Sequence, residues 1–502
     1  MKLKKWIALC LCVCMVLLNL AAVAETTQAT PPEPPAGMGT PPQGGTPPEK
    51  PDGEMGNPPE RPDGEMGTPP DGAPMGNPPQ GGMGGPGGMS AQPESYSAVK
   101  TVSEDASISG ETIESTGTDE NALLVTGGNV TVTDSKLVRE SADSTGGDSA
   151  SFYGVGAAAL VTGGTLTIEN TEISTDAEGG AGVFACGSGV ATVKNTVISA
   201  KKGTSGGIHV AGGGTLYAEN LTVTTEGASS AAIRSDRGGG TMVVNGGSYT
   251  ASGFGSPAVY VTADISISDA TLTATGSEAL CLEGKNSVAL TNCTLSGSLP
   301  DLEQNDNTWT VILYQSMSGD SEVGKGTFTM TGGTLISNNG GLFYTTNTDS
   351  EFTLRNVTLQ ASAESEYLLR CTGNSNGRGW GSTGSNGANC VFTAAEQQMS
   401  GRVLWDSVSN LTLSLTEGTS FTGAILDDES CAGEGGSGMC ALTIDETSEW
   451  IVTENSMLTT LTCKGRIADA ADRTVTVTDP SGSVLVSGES DLTITVSEYI
   501  AE

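Results

Sequence analysis

The sequence predicts an all-β chain wound as a parallel β-helix, with about 25 residues and three strands in each coil. Three observations carry that expectation. A column of bend-forming residues returns at nearly regular intervals: Asp134, Asn170, Asn195, Asn220, Gly246, Asp269, Asn292, Gly332 and Asn356. Asn, Asp and Gly best tolerate a left-handed backbone, so the chain turns sharply at the same place in every repeat. Each bend follows a short alternating run and is followed, three residues on, by an apolar or aromatic side chain such as Leu137, Ile173, Ile198, Val223 or Tyr249. Finally, the stretches 181–186, 206–211, 231–236, 257–262 and 278–283 superpose with spacings of 25, 25, 26 and 21.

Residues 1–24 read as a secretory signal. Lys2, Lys4 and Lys5 form a basic head, Trp6 to Leu20 an apolar run, and Ala22-Val23-Ala24 a small-residue cleavage site. The run is too short for a membrane span, so the expected location is secreted or cell-surface, with no transmembrane segment after cleavage. Residues 25–97 read as a Pro/Gly/Met-rich tether. Nineteen of the 22 prolines fall between 25 and 93, and the unit Pro-Asp-Gly-Glu-Met-Gly begins at Pro51 and again at Pro62. Such a segment cannot bury enough apolar surface to offset its ordering entropy, which predicts disorder. Its methionines are soft ligands in principle, but no His or Cys stands beside them.

Residues 98–502 carry the β-helix, with C-terminal capping coils. The repeat is plainest from 157 to 295. A first strand is followed by a second, such as Thr165–Ile168 or Thr215–Ala218, then the bend, then a third such as Leu221–Thr224. Period-two alternation turns Val, Ile and Leu inward and Thr and Ser outward. No segment shows helical periodicity. Coils stacked at about 4.8 Å, roughly 15 of them, make a rod of about 70 Å. Stacked Asn side chains at the bend are expected to hydrogen-bond up and down the column. A row of β-sandwiches would space its strands by 8–12 residues without this tripartite echo, and leucine-rich repeats require a different Leu spacing. Insertions at 298–308, 372–389 and 427–439 are where binding is expected on a rigid scaffold.

The formal net charge is −36; without residues 1–24, 19 Lys and Arg stand against 58 Asp and Glu. Such a chain repels nucleic acid and anionic membranes. The charge could draw Ca²⁺ or simply keep an exported protein soluble, and no cofactor is called for. Eight cysteines lie beyond the signal. Export permits disulfides, and the expected pairs are Cys371 with Cys390 and Cys431 with Cys440, each closing a Gly-rich loop, although spacing alone does not fix connectivity. Without a Cys-x-x-Cys spacing in the mature chain no zinc site is expected, and no metal ligand is assigned.

On the bend column Asn170, Asn195, Asn220, Asp269, Asn292 and Asn356, residues 98–470 resemble the right-handed single-stranded parallel β-helix superfamily typified by pectate lyases. That superfamily includes polysaccharide lyases, glycoside hydrolases and non-catalytic adhesins, so the resemblance speaks for fold more than for activity. The segment 450–461 is similar to the closing coils of secreted adhesins.

The resemblance implies a substrate groove on the strand before the short turn. There the inward residues are Val183, Ile208, Ile233, Val259 and Leu280, and the outward ones Phe184, His209, Arg234, Tyr260 and Cys281, with Asp236 beside Arg234. Side chains able to stack on or hydrogen-bond a sugar would stand about 4.8 Å apart in a row. The candidate ligand-binding residues are Phe184, His209, Arg234, Asp236 and Tyr260, joined by Arg378 and Trp380 in the loop between Cys371 and Cys390. The alternatives are an ordinary solvent face that carries aromatics and a floppy insertion.

No catalytic residue is assigned. Asn347-Thr348-Asp349 and Asp427-Asp428 are similar to the first two polygalacturonase motifs, but the only histidine, His209, precedes both. Lyase chemistry needs clustered Asp ligands for Ca²⁺ and a nearby base, of which Arg234 and Asp236 are a fragment. Gly319 to Gly326 falls short of a phosphate-binding loop because it leads into a strand. Gly373-Asn-Ser-Asn-Gly377 has the spacing of a nucleophile elbow but no later His. The expected role is a secreted, non-enzymatic, adhesin-like protein binding extracellular polysaccharide or a host or cell-surface protein. The alternative is a polysaccharide lyase or glycoside hydrolase with its groove around His209 and Arg234.

Overall fold

Short strands separated by left-handed bends satisfy their backbone groups by pairing one coil away. The computed structural model describes residues 92–501 and shows that arrangement. The signal segment and nearly all of the tether lie outside the described residues.

Three parallel sheets run along the stack, of 15, 17 and 10 strands. Sheet one passes from Ala98–Val102 through Ile208–Ala211 to Arg466–Asp469. Sheet two starts at Ala106–Ser109 and climbs as a linear ladder to Ser456–Cys463. Sheet three runs from Thr112–Ser115 to Thr358–Gln360. Rungs match one repeat apart: Val183 faces Ile208, then Ile233, Val259 and Leu280. These five are fully buried, and each coil adds several core residues, as Ile208, Val210, Leu216, Ala218, Leu221 and Val223 do. Where the coils widen, Phe328, Phe343, Phe352 and Phe392 fill the interior with ring centroids 5.6–6.1 Å apart.

The bend column holds throughout. All nine of its members have positive φ, from 45° at Asn195 to 66° at Gly246. Their side chains, however, form no amide ladder. The left-handed turn throws them into solvent, and it is the backbone N–H that reaches the next coil, as from Asn195 to the Glu219 carbonyl (3.0 Å). The residue after the bend points inward and does the stacking: Thr171 N–H donates to Thr196 Oγ1 (3.4 Å). A side-chain ladder does exist at the first residue of three successive sheet-two strands, where Asn410 donates to Asn389 and Asn389 to Asp349, both at 2.7 Å. Asp349 of the Asn-Thr-Asp motif is thus a structural rung.

Three further expectations change. One short α-helix, Gly147–Tyr153, exists, held between left-handed Gly146 and Gly154. After Asn356 the coils narrow. The third strand and the next first strand merge into single strands, Gln398–Trp405 and Ser420–Asp427, which kink at Gly401 and Gly423. A Cβ at Gly423 would stand 1.9 Å from the Gly401 carbonyl, so only glycine lets the two strands pass. All eight cysteines among the described residues are free thiols. The Cys371 thiol neighbours that of Cys390 in the inner core and donates to the Ala388 and Asn410 carbonyls (3.8 and 3.9 Å). Cys440, however, lies in that core two rungs from Cys390, past Leu411, and away from Cys431 at the outer corner near Arg370. The chain ends with the hairpin Thr476–Thr478 and Val484–Val486 and the strand Thr493–Ala501, which pairs with Ser456–Cys463.

Two outcomes test this architecture. Asn195→Val places a β-branched residue at positive φ on an exposed bend and should cost about 1–2 kcal/mol, read as a lower melting temperature, whereas Asn195→Gly should be neutral within a few tenths. Mild oxidation with diamide should link Cys371 to Cys390, detected by peptide mapping, and leave Cys431 and Cys440 reduced.

Candidate binding site on the outward face of sheet one

The outward side chains of sheet one stand in register: Phe184, His209, Arg234, Tyr260, Cys281, Ile312, Tyr344 and Arg370. The long insertions flank this face. Residues 142–158 and 298–308 leave the corner before the sheet, and 315–324, 372–388 and 428–438 the corner after it. A flat solvent face therefore becomes a walled groove.

At one end the insertion carrying Gly147–Tyr153 lies across the row. Ser151 Oγ accepts from Arg234 at 3.0 Å, and Phe152 lies under the Arg237 guanidinium at 4.3 Å. Phe184 and His209 are sealed beneath it, 0% and 1% exposed, so the start of the expected column is a small core rather than a ligand surface. The His209 ring lies 4.1 Å from that of Phe184. Its Nε2 is 3.0 Å from Asp236 Oδ2 but out of line for a hydrogen bond, and neither ring nitrogen has a hydrogen-bond partner. Burial, aided by the Arg234 charge, outweighs the pull of Asp236 and lowers the His209 pKa to about 4. Arg234 is fully engaged, giving Nε to Asp236 (2.7 Å) and Nη1 to the Ser205 and Ser229 carbonyls (2.7 and 2.8 Å). Burial pushes the Asp236 carboxyl up, but the Arg234 charge and hydrogen bond together with the nearby His209 outweigh it and keep the carboxyl below the usual range.

At the other end the loop 372–388 crosses to meet 298–308, with Ser375 N–H on Asp306 Oδ2 at 2.8 Å and Arg378 Nε on Asn305 Oδ1. This insertion is pinned. The buried amides of Asn374 and Asn386 both donate to the Trp380 carbonyl, at 3.1 and 2.9 Å. They hold the Trp380 ring 4.4 Å from Tyr314 and 6.0 Å from Trp309, with Arg378 stacked 5.6 Å above it.

Between the two covers the groove is open. Two pockets of about 170 and 280 Å³ share Gly255, Pro257 and Tyr260. Arg234, Asp236 and Asp320 line one; Glu278, Trp309, Tyr314, Arg378 and Trp380 line the other. Under the shared rim, Tyr260 and Tyr314 hydroxyls donate to Glu283 Oε2 at 3.0 and 3.1 Å, and Ser316 to Oε1. Burial raises the Glu283 carboxyl despite these bonds. Burial also pushes the Cys281 thiol well above its ordinary range, which leaves it unactivated as a nucleophile.

The structure thus joins Arg234, Asp236 and Tyr260 to Arg378 and Trp380 in one groove and leaves Phe184 and His209 outside it. Trp309, Tyr314, Glu283 and the covering helix escaped the sequence reading. A signal existed: the bend spacing jumps from about 25 to 36 between Asp134 and Asn170, and to 40 between Asn292 and Gly332. Compared with known proteins, the chain matches no family model, no curated protein and no solved structure.

His209 is the sole histidine and is held neutral by burial. Its folded pKa lies below the unfolded value, so between about pH 6.5 and 4 the unfolded chain binds the extra proton and stability falls as pH falls, by on the order of 3 kcal/mol. Melting curves of wild type and His209→Gln should diverge most at neutral pH and converge towards pH 4.

Proposed function

We propose that this is an exported, non-enzymatic β-helix of the adhesin-like kind, which binds extracellular glycan in the groove over sheet one. One observation carries the reading: Trp380, Trp309, Tyr314 and Tyr260 present ring surface into adjoining pockets that also hold carboxylates and a guanidinium. Aromatic faces stack on the apolar side of a sugar ring, and charged groups take its hydroxyls. The Trp380 loop is fixed before any ligand arrives, which lowers the ordering cost of binding. The basic and apolar start of the chain supports export, and the Pro-rich stretch supports a spacer between the rod and its anchorage.

A second reading, glycoside hydrolysis, draws on Asp236 and Glu283, two coils apart, with carboxyls shifted in opposite directions. Their bonding favours the first reading. Asp236 is tied to Arg234, and both Glu283 oxygens are taken by hydroxyls, so neither is free to move a substrate proton.

Screening a saccharide panel by tryptophan fluorescence tests the proposal. A binding glycan should lose about tenfold in affinity with Trp380→Ala, with an unchanged far-ultraviolet circular dichroism spectrum. Reducing-end and unsaturated-product assays, with and without Ca²⁺, should register no turnover. Turnover abolished by Glu283→Gln would move the assignment to the enzyme.

A further inference from the structure

The groove has a length and a charge, and together they select a class of glycan. Its length is set by the two covers. The insertion that carries Gly147–Tyr153 buries Phe184 and His209, and the bridge between Ser375 and Asp306 closes the floor beyond Cys281, where Ile312 and Tyr344 are 0% and 1% exposed. The open floor spans the rows of Arg234, Tyr260 and Cys281. Two intervals of about 4.8 Å give about 10 Å, room for about two pyranose rings. A long polysaccharide cannot run through along the rod axis, because both exits are blocked.

The charge is set by which cations are already committed. Arg234 is consumed by Asp236, Ser151 and two carbonyls, and Arg237 is paired with Asp320 at 2.7 Å. Among the described residues lining the pockets, Arg378 is the remaining guanidinium; Arg234 and Arg237 neutralise Asp236 and Asp320, and Glu278 stands against Arg378. A chain bearing one carboxylate per sugar would find a single cation for several charges, and a strongly negative protein around it. Neutral hydroxyls meet no such penalty, and carboxylates accept from them readily.

Building on the glycan-binding reading, we infer that the site takes the end of a neutral saccharide, about two residues or fewer, and rejects uronate-rich chains. The full chain is titrated, by fluorescence and calorimetry, with neutral gluco-, xylo- and manno-oligosaccharides of about two to six residues. Oligogalacturonates of the same lengths form the second series, and both are run at low salt and at about 0.5 M salt. The neutral series should contain a binder whose affinity stops rising beyond about two residues and changes less than about twofold with salt. Oligogalacturonates should bind at least about tenfold more weakly. Tighter, salt-sensitive uronate binding overturns the inference and leaves glycan recognition standing, as does affinity that keeps climbing to six residues. Failure of both series to bind removes glycan recognition itself.

Discussion

Everything in this molecule depends on lateral backbone pairing between successive coils. A single coil of about 25 residues encloses only a handful of apolar side chains, such as Ile208, Val210, Leu216, Ala218, Leu221 and Val223, and cannot order itself. What makes the stack possible is that each coil returns the chain one strand spacing higher and in the same register. The left-handed residue at the bend secures that return, and its backbone N–H, rather than its side chain, bonds to the coil beyond. A residue that resists positive φ there strains the return locally, at a cost of about 1–2 kcal/mol.

The scaffold was legible because its determinants are local and repeated. The bend column from Asp134 to Asn356, the inward Val183, Ile208, Ile233, Val259 and Leu280, and the outward neighbours of these five all fall where the alternation puts them. What the repeat could not convey was whatever departs from it. The outward column reads as solvent-facing by parity, yet Phe184 and His209 are covered by an insertion that parity does not describe. An amide ladder at the bend is expected from composition, but the side chains there stand exposed without bonding one another, and the ladder lies at Asp349, Asn389 and Asn410 instead. The cysteine pairs were drawn from loop lengths, but which wall of the coil each thiol faces is a matter of register, and register separates Cys440 from Cys431.

The groove joins two features that are remote in sequence. Arg234, Asp236 and Tyr260 come from consecutive coils of the regular stack, while Arg378 and Trp380 arrive from a later loop folded back over the same face. Rigidity comes from below in the first case and from buried Asn374 and Asn386 in the second. The result is a site whose floor is as fixed as the scaffold and whose cover is held by hydrogen bonds to its own backbone. Its buried carboxylates serve to hold neighbours, Asp236 clamping Arg234 and Glu283 tying Tyr260 to Tyr314.

The walls of the groove are stitched by contacts of very long range. Ser151 meets Arg234 across 83 positions, Arg237 meets Asp320 across another 83, and Asp306 meets Ser375 across 69. The winding itself needs only the preceding coil. A polypeptide emerging from its start could therefore build most of the rod before the first grip on a ligand existed, and one cut short near residue 370 would be well ordered yet empty-handed.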